Sequence, residues 1–153
     1  MIPTEPRSRI EIRPATRADL LEIIGIETDV FSQPWPYIAF EQFLGSQGFL
    51  VAEDEAVVGY IIADRSEGYG VPIGHIKDIA VPTERQGEGI GRTLLSHGLR
   101  RLATCGVRRV KLEVRRSNEP ARSLYETFGF ETHHVQPGYY DDGEDALVMV
   151  RDL

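Results

Sequence analysis

Between Arg85 and Arg92 the chain reads Arg-Gln-Gly-Glu-Gly-Ile-Gly-Arg, with glycine at alternate positions 87, 89 and 91. The segment that follows, through Thr104, spaces Leu94, Leu95, Leu99 and Leu102 along one helical face, and the segment before it, Gly74 to Val81, reads as a strand. A strand that passes through a glycine turn into an amphipathic helix belongs to folds that layer helices on a sheet. Glycine admits positive φ and lets a ligand reach the backbone with no Cβ in the way. The N–H groups of the first helical turn then face that approach, and the helix dipole favours an anion there. A pyrophosphate meets that description. Two nucleotide loops do not: G-x-G-x-x-G would need glycine where Arg92 stands, and G-x-x-x-x-G-K-[ST] lacks its lysine and hydroxyl. Glycine turns before helices are also common as plain structure, so the loop alone leaves ligand and turn equally open.

Around this loop the remaining elements fall into order. Ile10 to Arg13 alternates as a strand, and Thr16 to Asp19 resembles a capped helix start ahead of Leu20, Leu21, Ile24, Ile26 and Val30. Ser32-Gln33-Pro34-Trp35-Pro36 breaks that helix, and Tyr37 to Leu44 suits a second, short one. Phe49 to Glu53 and Val57 to Ala63 form a hairpin about Asp54-Glu55. Beyond the long helix, which Gly106 ends, come a strand at Arg109 to Val114, a helix capped by Asn118 and closed by Gly129, and strands at Glu131 to Gln136 and Asp145 to Val150. The order β-α-α-β-β-β-α-β-α-β-β is mixed α/β, one sheet flanked by about four helices.

Composition bounds what such a chain does. At 153 residues, 41% hydrophobic and 27% charged, residues 1–153 suit one domain with one sizeable core. A formal charge of −7 argues against a dedicated nucleic-acid binder but not against an anionic ligand held by a helix start. The longest apolar run, Ala56 to Ala63, is far short of the ~18 residues a membrane helix needs, and Met1 to Arg9 has no apolar core of the kind a secretory leader carries. Cys105 stands alone, so there is no intramolecular disulfide, and the cytoplasm is the expected location. His133 and His134, adjacent on a strand, are expected to face opposite sides, which argues against joint metal binding; no metal is expected.

Gln86-x-x-Gly89-x-Gly91 after Ile79-Ala80-Val81 resembles the acetyl-CoA pyrophosphate loop of the GNAT acetyltransferase superfamily. Leu112-Glu113-Val114-Arg115 with Ser117-Asn118, then Ala121 and Leu124-Tyr125-Glu126-x-Phe128-Gly129-Phe130, is similar to the strand and helix that follow it there. The resemblance runs from Ile10 to Val150. Phe31-Ser32-x-Pro34-Trp35 and Gly138-Tyr139-Tyr140-x-x-Gly143-Glu144-Asp145-Ala146 draw it toward one branch, the protein N-terminal acetyltransferases, with the bacterial ribosomal-protein alanine N-acetyltransferase and its archaeal relatives. A GNAT-like fold is implied: a central, twisted, mostly antiparallel sheet with splayed central strands.

The resemblance also implies roles. Gln86, Gly87, Glu88, Gly89, Ile90, Gly91 and Arg92 would hold the acetyl-CoA pyrophosphate, with Ile79, Ala80, Val81, Asn118 and Tyr125 along the pantetheine arm. Glu113 would be the general base, and Tyr125, with a phenol pKa near ~10, the acid for the leaving thiolate. An ordinary glutamate, near ~4.3, must work through water or with a raised pKa. His75 is a candidate to hold a catalytic water. Tyr139 and Tyr140, with Phe31, Gln33 and Trp35, would line the acceptor site for a protein or peptide N-terminus, a ribosomal protein among the candidates. Each has a plain structural alternative: Glu113 paired with an arginine, Tyr125 and Trp35 simply packed, Asn118 only a cap. Two other functions stay open, a small-molecule amine acetyltransferase and a non-catalytic acyl-CoA-binding domain.

Overall fold

The computed structural model describes residues 10–68 and 70–153. The leader reading of Met1 to Arg9 lies outside the described residues. The chain forms β1 (Glu11–Pro14), α1 (Leu20–Val30), α2 (Tyr37–Glu41), β2 (Phe49–Asp54), β3 (Ala56–Gly68), β4 (Val71–Ala80), α3 (Ile90–Thr104), β5 (Arg109–Arg115), α4 (Glu119–Thr127), β6 (Glu131–Gln136) and β7 (Ala146–Asp152). The seven strands are ordered β1-β2-β3-β4-β5-β7-β6. The β1–β2, β2–β3, β5–β7 and β6–β7 pairs are antiparallel and β4–β5 is parallel. This is the mixed α/β order read from the sequence, with the mostly antiparallel sheet that the resemblance implies. Among the described residues no helix is long and apolar enough to cross a membrane.

Two compact units make up the described chain. The first takes in the residues up to Ile62 and Asp78–Gly98. Its core gathers Leu20, Ile23, Phe40, Phe49, Val51, Tyr60 and Ile62, with Trp35 and Phe43 packed on it. Thr16 is the expected cap, in a capping box with Asp19, but the first turn, Arg17–Asp19, is 3-10 before α1 begins. The buried Asp19 carboxylate turns back to accept from the Thr16 N–H at 2.7 Å and from Arg13 at 2.8 and 2.9 Å. The Arg13 bond holds that carboxyl at about 2, well below the ordinary range. Leu21, read among the apolar positions of α1, is 78% exposed, while Ile23 is buried.

The second unit holds Ala63–Lys77 and Leu99–Leu153. In it β4 and β5 pair in parallel at Gly74–Val110, His75–Lys111 and Ile76–Leu112. Gly74 has no room for a side chain: a Cβ there would stand 2.8 Å from Leu102 and 3.0 Å from Val107. β6 corrects one expectation. The register slips between Thr132 and His134, so His133 occupies a bulge and the two imidazoles meet, Nδ1 to Nδ1, at 2.8 Å. A bulge breaks the alternation that would have sent them to opposite faces. Among the described residues no group of three or more His, Cys, Asp or Glu is arranged to hold a metal ion.

Candidate active site

Alternation along β4 and β5 builds the centre of the second unit. Val110, Leu112 and Val114 are buried, as are Gly74 and Ile76, which leaves His75, Lys111, Glu113 and Arg115 on the other face. There the His75 Nε2 stands 2.5 Å from Glu113 Oε2, and the Lys111 ammonium 3.6 Å from Glu113 Oε1. Both members of the His75–Glu113 pair are mostly shielded from water. Burial pushes the Glu113 carboxyl up, but the His75 bond and the Lys111 charge outweigh it and hold the group below the ordinary glutamate value. Glu113 is a carboxylate with an imidazole as its partner.

The loop between β6 and β7 carries the tyrosines. Tyr139 is half exposed, and its ring stands edge-on to that of Tyr140, centroids 5.0 Å apart. Burial raises the Tyr139 phenol and the Glu113 charge raises it further, so this hydroxyl lies within the field of the carboxylate. Burial also lifts Tyr140, to about 12. Both are neutral hydroxyls in neutral solution. Arg115, two residues beyond Glu113 and on the same face, ties the loop down. Its guanidinium carbon sits 4.1 Å from the Tyr140 ring centroid, and Nη1 donates to Asp142 at 2.8 Å and Glu144 at 2.9 Å. Glu144 in turn accepts the Ser117 N–H at 3.0 Å, and Asp145 accepts the Gly138 N–H at 3.0 Å. Arg115→Ala is expected to speed backbone amide exchange across 137–145 while the β5–β7 ladder exchanges as before. Unchanged exchange in the loop would show that the guanidinium does not anchor it.

In the first unit, β4 leads through a 3-10 turn, Thr83–Arg85, to the glycine segment. Gln86 Nε2 donates to the Val81 carbonyl at 3.0 Å, Arg85 bridges Asp54 and Glu88, and Asp29 accepts from the Thr83 hydroxyl at 3.0 Å. Gly87 and Gly89 have φ of 84° and 86°, and a Cβ built at either meets nothing within 4 Å. The turn is thus left-handed and open. The Gly89 carbonyl accepts the Thr93 N–H at 3.0 Å, which makes Gly89 the cap from which α3 starts. Ile90 and Ala80 turn their side chains into the core, so only their backbone can meet a ligand. Glu88 is exposed. Phe31, Gln33 and Trp35 also lie in the first unit, where Trp35 packs on Phe40 and Phe43 with ring centroids 5.4 and 6.1 Å away.

Two further candidates sit on α4. Asn118 caps it, its Oδ1 accepting the Ala121 N–H at 3.3 Å. Tyr125 is 6% exposed, its ring 6.0 Å from that of Phe130. What sequence reasoning missed is the work of Arg115 and a buried trio in the first unit, Glu27, Tyr60 and Asp78. A signal was present for the acids. Glu27 falls on the buried stripe of α1 with Leu20 and Ile23, and Asp78 alternates with the buried Ile76 and Ala80.

Comparison with known proteins accords with these features. The profile of the "Acetyltransferase (GNAT) family" matches residues 17–130. The chain is 36% identical to the N-alpha-acetyltransferase of Saccharolobus solfataricus over 93% of this chain and 92% of that protein. It superposes on the ribosomal-protein-S18-alanine N-acetyltransferase of Escherichia coli with a TM-score of 0.82 at 29% identity, covering 94% of both chains. Arabidopsis thaliana Naa50, solved in complex with the bisubstrate analogue CoA-Ac-MVNAL, shares the fold, with a TM-score of 0.84 at 21% identity over 94% of this chain and 99% of that one. With the family profile spanning well over half of its length and a relative this similar end to end, the protein belongs to the acetyltransferase (GNAT) family.

Proposed function

We propose that the chain, as a single acetyltransferase domain, transfers the acetyl group of acetyl-CoA to the α-amino group of protein N-termini beginning with Ala or Ser, a ribosomal protein among them. The observation that carries the reading is the shielded His75–Glu113 contact on the sheet face that also presents Arg115 and its tyrosine loop. An α-amine has a pKa near ~7.7–8.0 and a lysine amine near ~10.4, so the lysine costs roughly 3.4 kcal/mol more to deprotonate. Glu113, held low, is too weak a base to make up that difference. It suits an amine that is already partly neutral, whose proton it takes directly or through a water between amine and carboxylate, while His75, 2.5 Å away, steadies the carboxylate. The neutral hydroxyls of Tyr139 and Tyr140 offer hydrogen bonds to an extended chain end, and Phe31, Gln33 and Trp35 are the acceptor residues of the first unit.

Acetyl-CoA supplies the acyl group as a thioester. The open left-handed turn at Gly87 and Gly89 fits a group that must come close to backbone N–H donors, as a pyrophosphate does. Gln86 to Arg92 would hold it, the backbone of Ile79 to Val81 and the side chain of Asn118 would take the pantetheine arm, and Tyr125 would give its phenolic proton to the departing sulfur. The lone cysteine supports a reducing compartment, the cytoplasm.

Thiol release from acetyl-CoA tests the acceptor class. Peptides beginning Ala or Ser are expected to react well, and the same peptides with blocked N-termini and free lysines poorly, as are spermidine and an aminoglycoside. Equal rates for the blocked peptides or spermidine would refute the N-terminal acceptor.

A further inference from the structure

The buried trio of the first unit has too many oxygens for its hydrogens. Glu27 on α1 is 2% exposed, Tyr60 on β3 is fully buried and Asp78 on β4 is 9% exposed. The Tyr60 hydroxyl bonds Glu27 Oε2 and stands 3.2 Å from Asp78 Oδ2. Glu27 Oε1 accepts the Trp35 backbone N–H at 3.1 Å. Asp19, the other buried acid among the described residues, is answered by Arg13. Glu27 and Asp78 face each other and the phenol, and each also takes one backbone N–H, from Trp35 on Glu27 and from Ile79 on Asp78.

A phenol has one proton to donate, and two carboxyls approach its oxygen. If the proton goes to Glu27, the contact with Asp78 is oxygen to oxygen unless Asp78 brings a proton of its own. Two bare carboxylates buried side by side without a cation are strongly disfavoured, and one shared proton removes the conflict. Burial first, and then the neighbouring Glu27, keep the Asp78 carboxyl well above the ordinary carboxylate range, in agreement with that count. Glu27 accepts two bonds, one from the Tyr60 hydroxyl and one from the Trp35 N–H, and a carboxylate would make both charge-assisted.

We infer that Glu27 and Asp78 hold one proton between them, carried by Asp78, and that the Glu27 carboxylate thereby acts as the positioning residue for the acceptor-binding segment Phe31 to Trp35. The second half rests on the acceptor role proposed for that segment, and the first half does not. A hydrogen bond to a charged group is worth more than one to a neutral group, and here it fixes the main chain where the segment turns into α2.

Three variants separate the parts. Asp78→Asn replaces a neutral acid by a group of the same shape that donates permanently, so acceptor KM and melting temperature should stay within about twofold and a few degrees of wild type. Glu27→Gln removes the anion and sets an amide N–H₂ against a hydroxyl or an N–H, so acceptor KM should rise about ten- to a hundredfold with acetyl-CoA KM unchanged. Tyr60→Phe should fall between them. Toward alkaline pH, where Asp78 is forced to ionise, wild-type acceptor KM should climb, while that of Asp78→Asn should not. Difference infrared spectra of the whole protein at neutral pH read the proton without any acceptor: wild type minus Asp78→Asn should contain the carbonyl stretch of a neutral carboxylic acid. If that band is missing, or if Asp78→Asn is as impaired as Glu27→Gln, the shared proton is refuted. If Glu27→Gln moves melting temperature alone, or both KM values together, the positioning role is refuted. A wild-type enzyme that ignores peptide N-termini yet shows the band would overturn the acceptor reading, and the positioning role with it, but not the shared proton.

Discussion

Glu113→Gln should slow acetyl transfer by about 10²–10⁴-fold while acetyl-CoA binds as before, the range over which a positioned general acid or base typically acts. The amide keeps the shape of the side chain and its place on β5, so packing is undisturbed. It cannot take a proton, and it no longer offers His75 a charge. His75→Gln should act on the same pair from the other side. With the imidazole gone, burial is the largest influence left on Glu113 and pushes its carboxyl up. In the proposed transfer the rate needs the carboxylate, which exists above its pKa and is lost as pH falls through it. In wild type that loss comes at a pH below the ordinary glutamate value; in His75→Gln the acid limb of the rate should move upward. Because the two residues act as one unit, the double variant should be hardly slower than the worse single one. Wild-type turnover in Glu113→Gln with an unaltered pH profile would return Glu113 to a purely structural role.

The pairing behind that prediction was only half legible in the sequence. That His75 and Glu113 lie on strands follows from alternation, but that they touch depends on the β4–β5 register, which no periodicity encodes. Arg115 was visible as Glu113 plus two, on the same face of the strand; its partners Asp142 and Glu144 come from a loop whose path nothing in the sequence sets. The element order could be read throughout, helped by the buried stripe Leu94, Leu95, Leu99 and Leu102 of α3 and by the cap at Asn118 and the glycine stop at Gly129. Edges were less legible. β3 continues to Gly68 and β4 begins at Val71, whereas the apolar pattern suggested Ala63 and Gly74, since polar Asp64, Arg65, Ser66 and Glu67 give no buried stripe to follow. The His133 bulge was hidden for a similar reason: every residue of β6 is exposed, so no core face shows the change of phase. Glu27 and Asp78 were overlooked although their stripe positions were plain, because an acid on an apolar stripe reads as an interruption until a partner is seen.

Gly89→Val should reduce affinity for acetyl-CoA by about 10²-fold or more, in a protein that still folds. The residue has φ of 86°, where a β-branched side chain is a true outlier, at a local strain of about 1–3 kcal/mol. A Cβ there meets nothing within 4 Å, so the core is spared and the side chain projects into the space the proposed pyrophosphate must use. A hydrogen bond to a charged group contributes about 1.5–3 kcal/mol, so loss of two from the start of α3 amounts to about two orders of magnitude or more. Arg92→Ala, which leaves the backbone cradle intact, should be milder. Gly25→Ala provides the control. Gly25 lies inside α1 with open space around its Cα, so alanine there should raise stability by about 0.5–1 kcal/mol and leave acetyl-CoA binding alone. Titration calorimetry distinguishes the outcomes. If Gly89→Val melts cooperatively and binds acetyl-CoA as tightly as wild type, the phosphates are held elsewhere and the glycine turn is only a helix start.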